Sequence, residues 1–314
     1  MDMTFSGRMR PGVLALVVMV LATEAITTCA YAQDVFARRE QVIYDGDPMD
    51  QANIKLGSWG SGICGESTLN TYAGSRSIRI TPKDLYAGGR IDFLKPVDLT
   101  RSFNEPDVYL QLVTKFWGVQ AEQDWWAVGL GAPGSTDMYG GVSKPGRQVR
   151  SVRIVLFLEE GPVVECQADL SGYKLREGSW MNVSFPVAAL KGKLDLPAYR
   201  LKRLVVTGDG SEPFHIGEIR TVRDTTPIRA DAAEAKEVAR NYSIAFQGFA
   251  ESGASAVKYS WDFDKEDGIQ GEAVGDLVYH RFTKAGDYVV TLTVSDVFGL
   301  KKPGTTTINV RVNE

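Results

Sequence analysis

Val257-Lys258-Tyr259-Ser260-Trp261-Asp262-Phe263-Asp264, then Val278-Tyr279-His280-Arg281-Phe282 and Gly286-Asp287-Tyr288-Val289-Val290-Thr291-Leu292-Thr293-Val294-Ser295-Asp296, decide the fold of the C-terminal part of this 314-residue chain. Apolar residues occupy every second position. Val257, Tyr259, Trp261 and Phe263 fall on one side of an extended backbone, and Lys258, Ser260, Asp262 and Asp264 on the other. Tyr288, Val290, Leu292 and Val294 repeat the pattern against Val289, Thr291, Thr293 and Ser295. A period of two over such lengths predicts half-buried antiparallel strands, because successive side chains of a strand point to opposite faces.

Trp261-Asp262-Phe263, Tyr279-His280-Arg281-Phe282 and the run Gly286 to Asp296 resemble, in order, the signature segments of the PKD domain. The resemblance covers about residues 226–314. It implies an immunoglobulin-like β-sandwich of the kind carried by bacterial extracellular proteins, used as a spacer or an interaction module. The turn Asp264-Lys265-Glu266-Asp267-Gly268 is longer and more charged than the family's usual Gly-Asp-Gly. Ala230 to Arg240, rich in Ala, Glu and Lys, is helical by propensity, whereas the resemblance places a first, irregular strand there. The strand is the expectation taken.

Working outward, the amino terminus sets the expected compartment. Arg8 and Arg10 precede an apolar run from Val13 to Ala22, and Ala30-Tyr31-Ala32 supplies small residues at a signal-peptidase site. The run is about half the length that a bilayer requires. Cys29 follows Thr28, a poor lipoprotein context. The expectation is therefore a signal peptide over 1–32, a mature chain from Gln33, and a secreted, extracellular or periplasmic protein with no membrane insertion after cleavage. The remaining length suits two domains, divided as 33–225 and 226–314. A net charge of −4 provides no basic surface for a phosphate backbone, so nucleic acid is not an expected partner. Cys64 and Cys166 are then the remaining thiols. In an oxidising compartment they either pair as a disulfide or serve as small buried hydrophobes.

Residues 35–223 also read as β throughout. Ser77 to Ile80, Arg90 to Phe93, Val108 to Trp117, Ser151 to Leu158, Trp180 to Val187, Arg203 to Thr207 and Phe214 to Val222 are strand-like runs separated by Gly- and Pro-rich turns. No amphipathic helix interrupts them, and a two-sheet sandwich follows. Ile43-Tyr44-Asp45-Gly46-Asp47, Ser58-Trp59-Gly60-Ser61, Gly74 to Ile80, Trp180 to Val187 and Phe214 to Ile219 resemble the galactose-binding-like jelly rolls of carbohydrate-binding modules. The fold class expected is thus all-β: an N-terminal jelly-roll β-sandwich followed by a C-terminal immunoglobulin-like PKD sandwich.

Sugar recognition needs aromatic planes for the C–H face of a pyranose, and amides or charges for its hydroxyls. Along Val108 to Trp117, one face carries Val108, Leu110, Leu112 and Phe116, and the other Tyr109, Gln111, Lys115 and Trp117. The second face is a candidate glycan surface, or else it is covered and Trp117 is core. Trp125, beside Trp126 in a loop, and Trp59, in a Gly-rich loop, are further candidate platforms. Trp180 and Trp261 read as core. Asp45, Asp47 and Glu218 form a candidate structural calcium site if the first and last strands lie side by side, as the jelly-roll resemblance implies; otherwise they are solvated acids.

Catalysis finds little support. His215 and His280 are the two histidines, and neither lies near a recognisable nucleophile or a metal-ligand pair. Gly129-Leu130-Gly131-Ala132-Pro133-Gly134 has the spacing of a dinucleotide loop but opens no helix. The expected function is a non-catalytic protein that binds a polysaccharide or other glycan, with no cofactor beyond that calcium ion. The alternative is a surface or matrix adhesion protein whose partner is an extracellular protein.

Overall fold

The computed structural model describes residues 38–116, 147–170, 178–191, 196–232, 236–266 and 268–314. The expected leader, Trp117, Trp125 and the glycine-rich stretch 129–134 lie outside the described residues. Among the described residues eleven strands precede Asp224: β1 (Arg38–Tyr44), β2 (Ile54–Trp59), β3 (Ile63–Ser67), β4 (Ser77–Thr81), β5 (Gly88–Asp98), β6 (Val108–Phe116), β7 (Ser151–Leu158), β8 (Val164–Asp169), β9 (Trp180–Pro186), β10 (Arg200–Gly208) and β11 (Phe214–Arg223). Two single-turn helices, α1 (Thr100–Asn104) and α2 (Val187–Lys191), join them.

The strands form two antiparallel sheets, ordered β3-β4-β11-β6-β9 and β2-β5-β10-β7-β8, with β1 added to β11 beside β4. From β4 to β11 the chain passes back and forth between sheets. It leaves β4-β11-β6-β9 facing β5-β10-β7-β8, which is the jelly-roll topology. Every strand expected from the periodicity is present. The short strands β1, β2, β3 and β8 are not evident from the sequence, because their outward and inward positions are both partly polar.

Between the sheets lies one core. Ile78 and Ile80 from β4, Leu110 and Leu112 from β6, Ile154 and Leu156 from β7, Val183 and Phe185 from β9, and Leu204 and Val206 from β10 are all sealed from solvent. Burying each is worth roughly 1.5–3 kcal/mol. Phe103 of α1 stacks on Tyr199 at 4.4 Å and closes one end of the barrel-like layers.

Cys64 and Cys166 do not pair, and both thiols are free. Cys64 leans from β3 onto β5, where its Sγ lies 3.0 Å from where a Cβ on Gly89 would be. Cys166 sits on β8, three strand spacings from β5, or about 14 Å, and a disulfide tolerates about 7 Å between Cα atoms. Burial pushes the Cys64 thiol up to about 12 and that of Cys166 up to about 11, so neither is a thiolate at neutral pH.

A second sandwich follows. Sheet β12-β14-β17 (Arg229–Ala232, Ser243–Glu251, Leu277–Arg281) packs on β13-β19-β18-β15-β16 (Lys236–Ala239, Gly304–Asn313, Gly286–Asp296, Val257–Asp262, Ala273–Val274). Trp261 is its fully buried centre. Its ring packs on Phe246 at 5.7 Å, and its indole N–H donates to the Gly275 carbonyl at 2.8 Å. Tyr259, Trp261, Val290, Leu292 and Val294 are all inward, as the alternation requires. Within Ala230 to Arg240 the described residues 230–232 and 236–239 are strand: β12 pairs with β14, and β13 runs parallel to β19. Tertiary pairing has overridden local propensity.

The two sandwiches meet on a built contact. Asp224, fully buried, accepts hydrogen bonds from the backbone N–H groups of Thr226 (2.9 Å) and Ala254 (2.6 Å), and from the Lys301 ammonium at 2.7 Å. Lys301 is presented by the β18–β19 turn. That turn is held in place by Asp296, whose carboxylate caps the N–H groups of Phe298, Leu300 and Lys301. Gly253 has a left-handed φ of 60°, and a Cβ there would lie 2.2 Å from the Asp224 carboxylate, so only glycine allows the approach. Tyr109 completes the contact: its ring packs with Val222 and Ala254, and its hydroxyl lies 3.0 Å from Ser255 Oγ.

Burial by itself would raise the Asp224 carboxyl, but the Lys301, Thr226 and Ala254 hydrogen bonds outweigh it and hold the group below its ordinary value. A depressed carboxylate pKa stabilises the fold above the unfolded value of about 4, and that contribution is lost as pH falls through the folded value. In calorimetry, docking of the two sandwiches should therefore weaken in acid below about pH 4, and Asp224→Asn should remove that dependence. At neutral pH Asp224→Ala strands Lys301 and should cost about 3–5 kcal/mol, splitting the unfolding of the two sandwiches into separate transitions. Gly253→Ala should do the same through steric exclusion.

Candidate functional site

The outward face of the sheet β4-β11-β6-β9 is polar where its inward face is apolar. Leu110, Leu112, Phe214, Ile216, Ile219, Val183 and Phe185 point inward. The intervening positions Gln111, Lys115, His215, Trp180, Asn182 and Ser184 therefore point outward. A bulge breaks the rhythm of β11: Ile216 pairs with Thr114, but Glu218, not Gly217, pairs with Val113. One extra residue turns Glu218 and Arg220 onto the same outward face as His215.

The middle of this face is a buried hydrogen-bonded network. Arg220 Nε donates to Gln111 Oε1 at 2.7 Å, and Gln111 Nε2 donates to Ser184 Oγ at 3.0 Å. Glu218 Oε2 receives Arg39 at 3.1 Å and Arg220 at 3.3 Å. Its second oxygen, Oε1, is buried and meets no donor. His215 lies alongside, with Nδ1 3.0 Å from Ser77 Oγ and Nε2 3.3 Å from Asn70 Nδ2. An amide nitrogen only donates, so Nε2 accepts and Nδ1–H donates to Ser77. Burial, then the charges of Arg79 and Lys115, push His215 down to about 3. The imidazole is neutral at any working pH and serves as a fixed hydrogen-bonding group.

Above the bulge sits an aromatic pair. Tyr72 and Trp180 lie 5.4 Å apart at 58°. A Cβ on Gly217 would come 2.4 Å from Tyr72 and 2.9 Å from the Trp180 ring, so the glycine lets both close onto the backbone. Tyr72 is 37% exposed and Trp180 is half-buried. Lys115, directly opposite Trp180 in the register, and Asn182 are half-buried beside them. This end of the face is accessible; the network beneath is not.

The expected site residues are therefore divided. Lys115 lies in this cluster, and Gln111 lies in the network under it. Tyr109, on the same face, is buried in the contact with Ala254, Ser255 and Lys301 and offers no platform: the second sandwich covers it. Its hydroxyl is raised to about 12, by burial first. Trp59 lies on the other sheet, edge-on to Phe157 at 5.6 Å, and so faces away from Lys115. The expected metal set is not assembled. β1 and β11 do lie side by side, with Tyr44 opposite Ile219. Yet Asp45 and Asp47 stay exposed in their turn, while Glu218 is held by two guanidiniums. Among the described residues no three His, Cys, Asp or Glu converge on one point.

Trp180 is a correction, since it is not core. The alternation Trp180-Met181-Asn182-Val183-Ser184-Phe185 already separates Trp180, Asn182 and Ser184 from Met181, Val183 and Phe185. The size of the indole concealed that signal. Tyr72 has none, being brought over the bulge by a loop.

No curated protein matches the chain. Residues 224–312 match the family model of the PKD domain. They begin at Asp224, the residue that locks the two sandwiches together, and the C-terminal sandwich is thus a PKD domain, an immunoglobulin-like module typical of extracellular proteins.

Proposed function

We propose that this is a secreted, non-catalytic carbohydrate-binding protein whose jelly roll holds a glycan on the outward face around Trp180 and whose PKD domain stands fixed at the Tyr109 end of that face. The observation that carries the reading is the partly exposed pair Tyr72 and Trp180, set over the Gly217 bulge beside Lys115 and Asn182. Aromatic planes next to amide and ammonium donors match the two demands of a pyranose, an apolar C–H face and a ring of hydroxyls. The network beneath keeps the strands in register and the donors in place. Buried ion pairs of this type contribute little to stability beyond their own desolvation, which favours a role in positioning. Export through residues 1–32 belongs to the same reading.

A second reading, adhesion to an extracellular protein, has one observation in its favour. Tyr279, 68% exposed, lies with Leu277 and Phe249 on the outward face of the three-stranded PKD sheet. If that face is the functional one, Tyr279→Ser abolishes capture of a protein partner and leaves glycan binding untouched.

The glycan reading is tested on the whole mature protein by glycan microarray, followed by affinity electrophoresis on the polymers retained. Trp180→Ala and Tyr72→Ala should each weaken binding about tenfold, the loss expected for one stacking contact, with little change in melting temperature. Binding that survives both changes, or retention by no glycan at all, overturns the proposal.

A further inference from the structure

We infer that strand β17 pairs edge to edge with β17 of a second copy of this chain, antiparallel about Tyr279, so that two PKD domains form the centre of a two-fold dimer. The inference rests on the PKD face of the adhesion reading and names its partner; it does not depend on the glycan reading.

Among the described residues β17 has β14 as its one strand neighbour. The hydrogen bonds of the sheet show which of its backbone groups face away from that neighbour. Gly248 N–H donates to the Asp276 carbonyl at 2.7 Å, so residues 248 and 276 form a hydrogen-bonded pair, and bonded and unbonded pairs alternate from there. Phe246–Val278 and Ile244–His280 are bonded across the two strands, whereas Gln247–Leu277, Ala245–Tyr279 and Ser243–Arg281 are not. The Ala245 carbonyl agrees with this phase, being taken by the Lys236 ammonium. Leu277, Tyr279 and Arg281 therefore direct their N–H and C=O groups off the sheet, and among the described residues nothing meets them.

Such an edge is a template for another strand, and native edges are blunted by lysine, proline, a bulge or shortness. β17 has none of these: its register with β14 is unbroken over Leu277-Val278-Tyr279-His280-Arg281. By contrast β16, the edge that precedes it in the chain, has two residues. An isologous interface needs a surface that is its own complement, and this edge is one. With the axis at Tyr279, that residue faces its own counterpart and Leu277 faces the other copy's Arg281, so every free N–H meets a free carbonyl. The exposed Tyr279 and Leu277 side chains then pack across the seam with the stem of Arg281. Arg281 has no acid partner among the described residues. The axis sets the two guanidiniums about 14 Å apart, beyond the reach of repulsion in physiological salt.

The first sandwich leaves the edge open. Tyr279 stands opposite Ala245, about 20 Å back along β14 from Glu251. The contact with the first sandwich lies past Glu251, at Gly253, Ala254 and Ser255. An antiparallel axis sends the two first sandwiches in opposite directions. One short edge with its flanking apolar side chains is a small interface, which sets a weak, reversible dimer with a dissociation constant on the order of 10 µM.

The experiment is analytical ultracentrifugation of the whole mature protein from about 1 to 200 µM. The wild type should pass from monomer to dimer over that range. Tyr279→Pro removes a donor that its own sheet does not use, a change that edge strands accept, and should weaken dimerisation about tenfold or more. Tyr279→Lys leaves the backbone intact and should have the same effect through charge at the seam, with the melting temperature unchanged. Tyr279→Cys should close an intermolecular disulfide on mild oxidation, because the Cα atoms of a hydrogen-bonded antiparallel pair lie about 5.5 Å apart. Asp231→Cys, exposed on β12 at the far side of the same sheet, should not. A monomer at every concentration overturns the inference. So does a dimer that Tyr279→Lys leaves unchanged, or Asp231→Cys linking as readily as Tyr279→Cys. A monomer that captures a different protein, and loses it with Tyr279→Ser, sinks the inference and leaves the adhesion reading standing.

Discussion

Strand β11 is the constraint on which the first sandwich depends. It is buried along nearly its whole length and pairs with β1, β4 and β6, so three neighbours take their register from it. A strand in that position has no water to solvate its outward side chains. His215, Glu218 and Arg220 must therefore be matched by protein groups, because a buried charge without a partner is far costlier than a lost hydrogen bond. Gln111, Ser184, Arg39, Ser77 and Asn70 are those partners. The demand for satisfaction on β11 dictates the polar residues of β6, β9, β4 and β1 together.

The Gly217 bulge converts this constraint into a surface. In an unbroken alternation through Gly217, Glu218 would point inward among Leu112, Ile216 and Ile219, an uncompensated carboxylate in an apolar core. With the bulge, the face gains an acid and a guanidinium, and the bare backbone at Gly217 gives Tyr72 and Trp180 a seat. One backbone irregularity thus aligns the buried network and the accessible aromatics.

The PKD domain is tied to the same sheet. Asp224 follows β11 directly, and Tyr109 and Val222 extend the outward face into the contact with Ala254, Ser255 and Lys301. The domain's own signature serves that contact: Ser295-Asp296 closes strand β18, and Asp296 shapes the turn that delivers Lys301. The module, expected as a spacer or an interaction module, stands at one end of the face, joined through a buried ion pair.

Much was legible from sequence because it depends on local periodicity. The alternations in Val257 to Phe263 and Tyr288 to Val294 fixed the PKD strands and their core, with Trp261 at its centre. The alternation along Val108 to Phe116 correctly separated Leu110 and Leu112 from Gln111 and Lys115. Both follow from the two-residue repeat of an extended chain, which needs no partner to be read. Only the tertiary structure decided which outward residues meet water. Tyr109 and Lys115 are indistinguishable by period, yet the second sandwich lands on one and leaves the other uncovered. It likewise brought Tyr72 to Trp180, set Glu218 outward through the bulge, and kept Cys64 and Cys166 on separate strands. Each of these is a contact between residues distant in the chain, and their proximity is a property of how sheets stack and pair rather than of any segment alone.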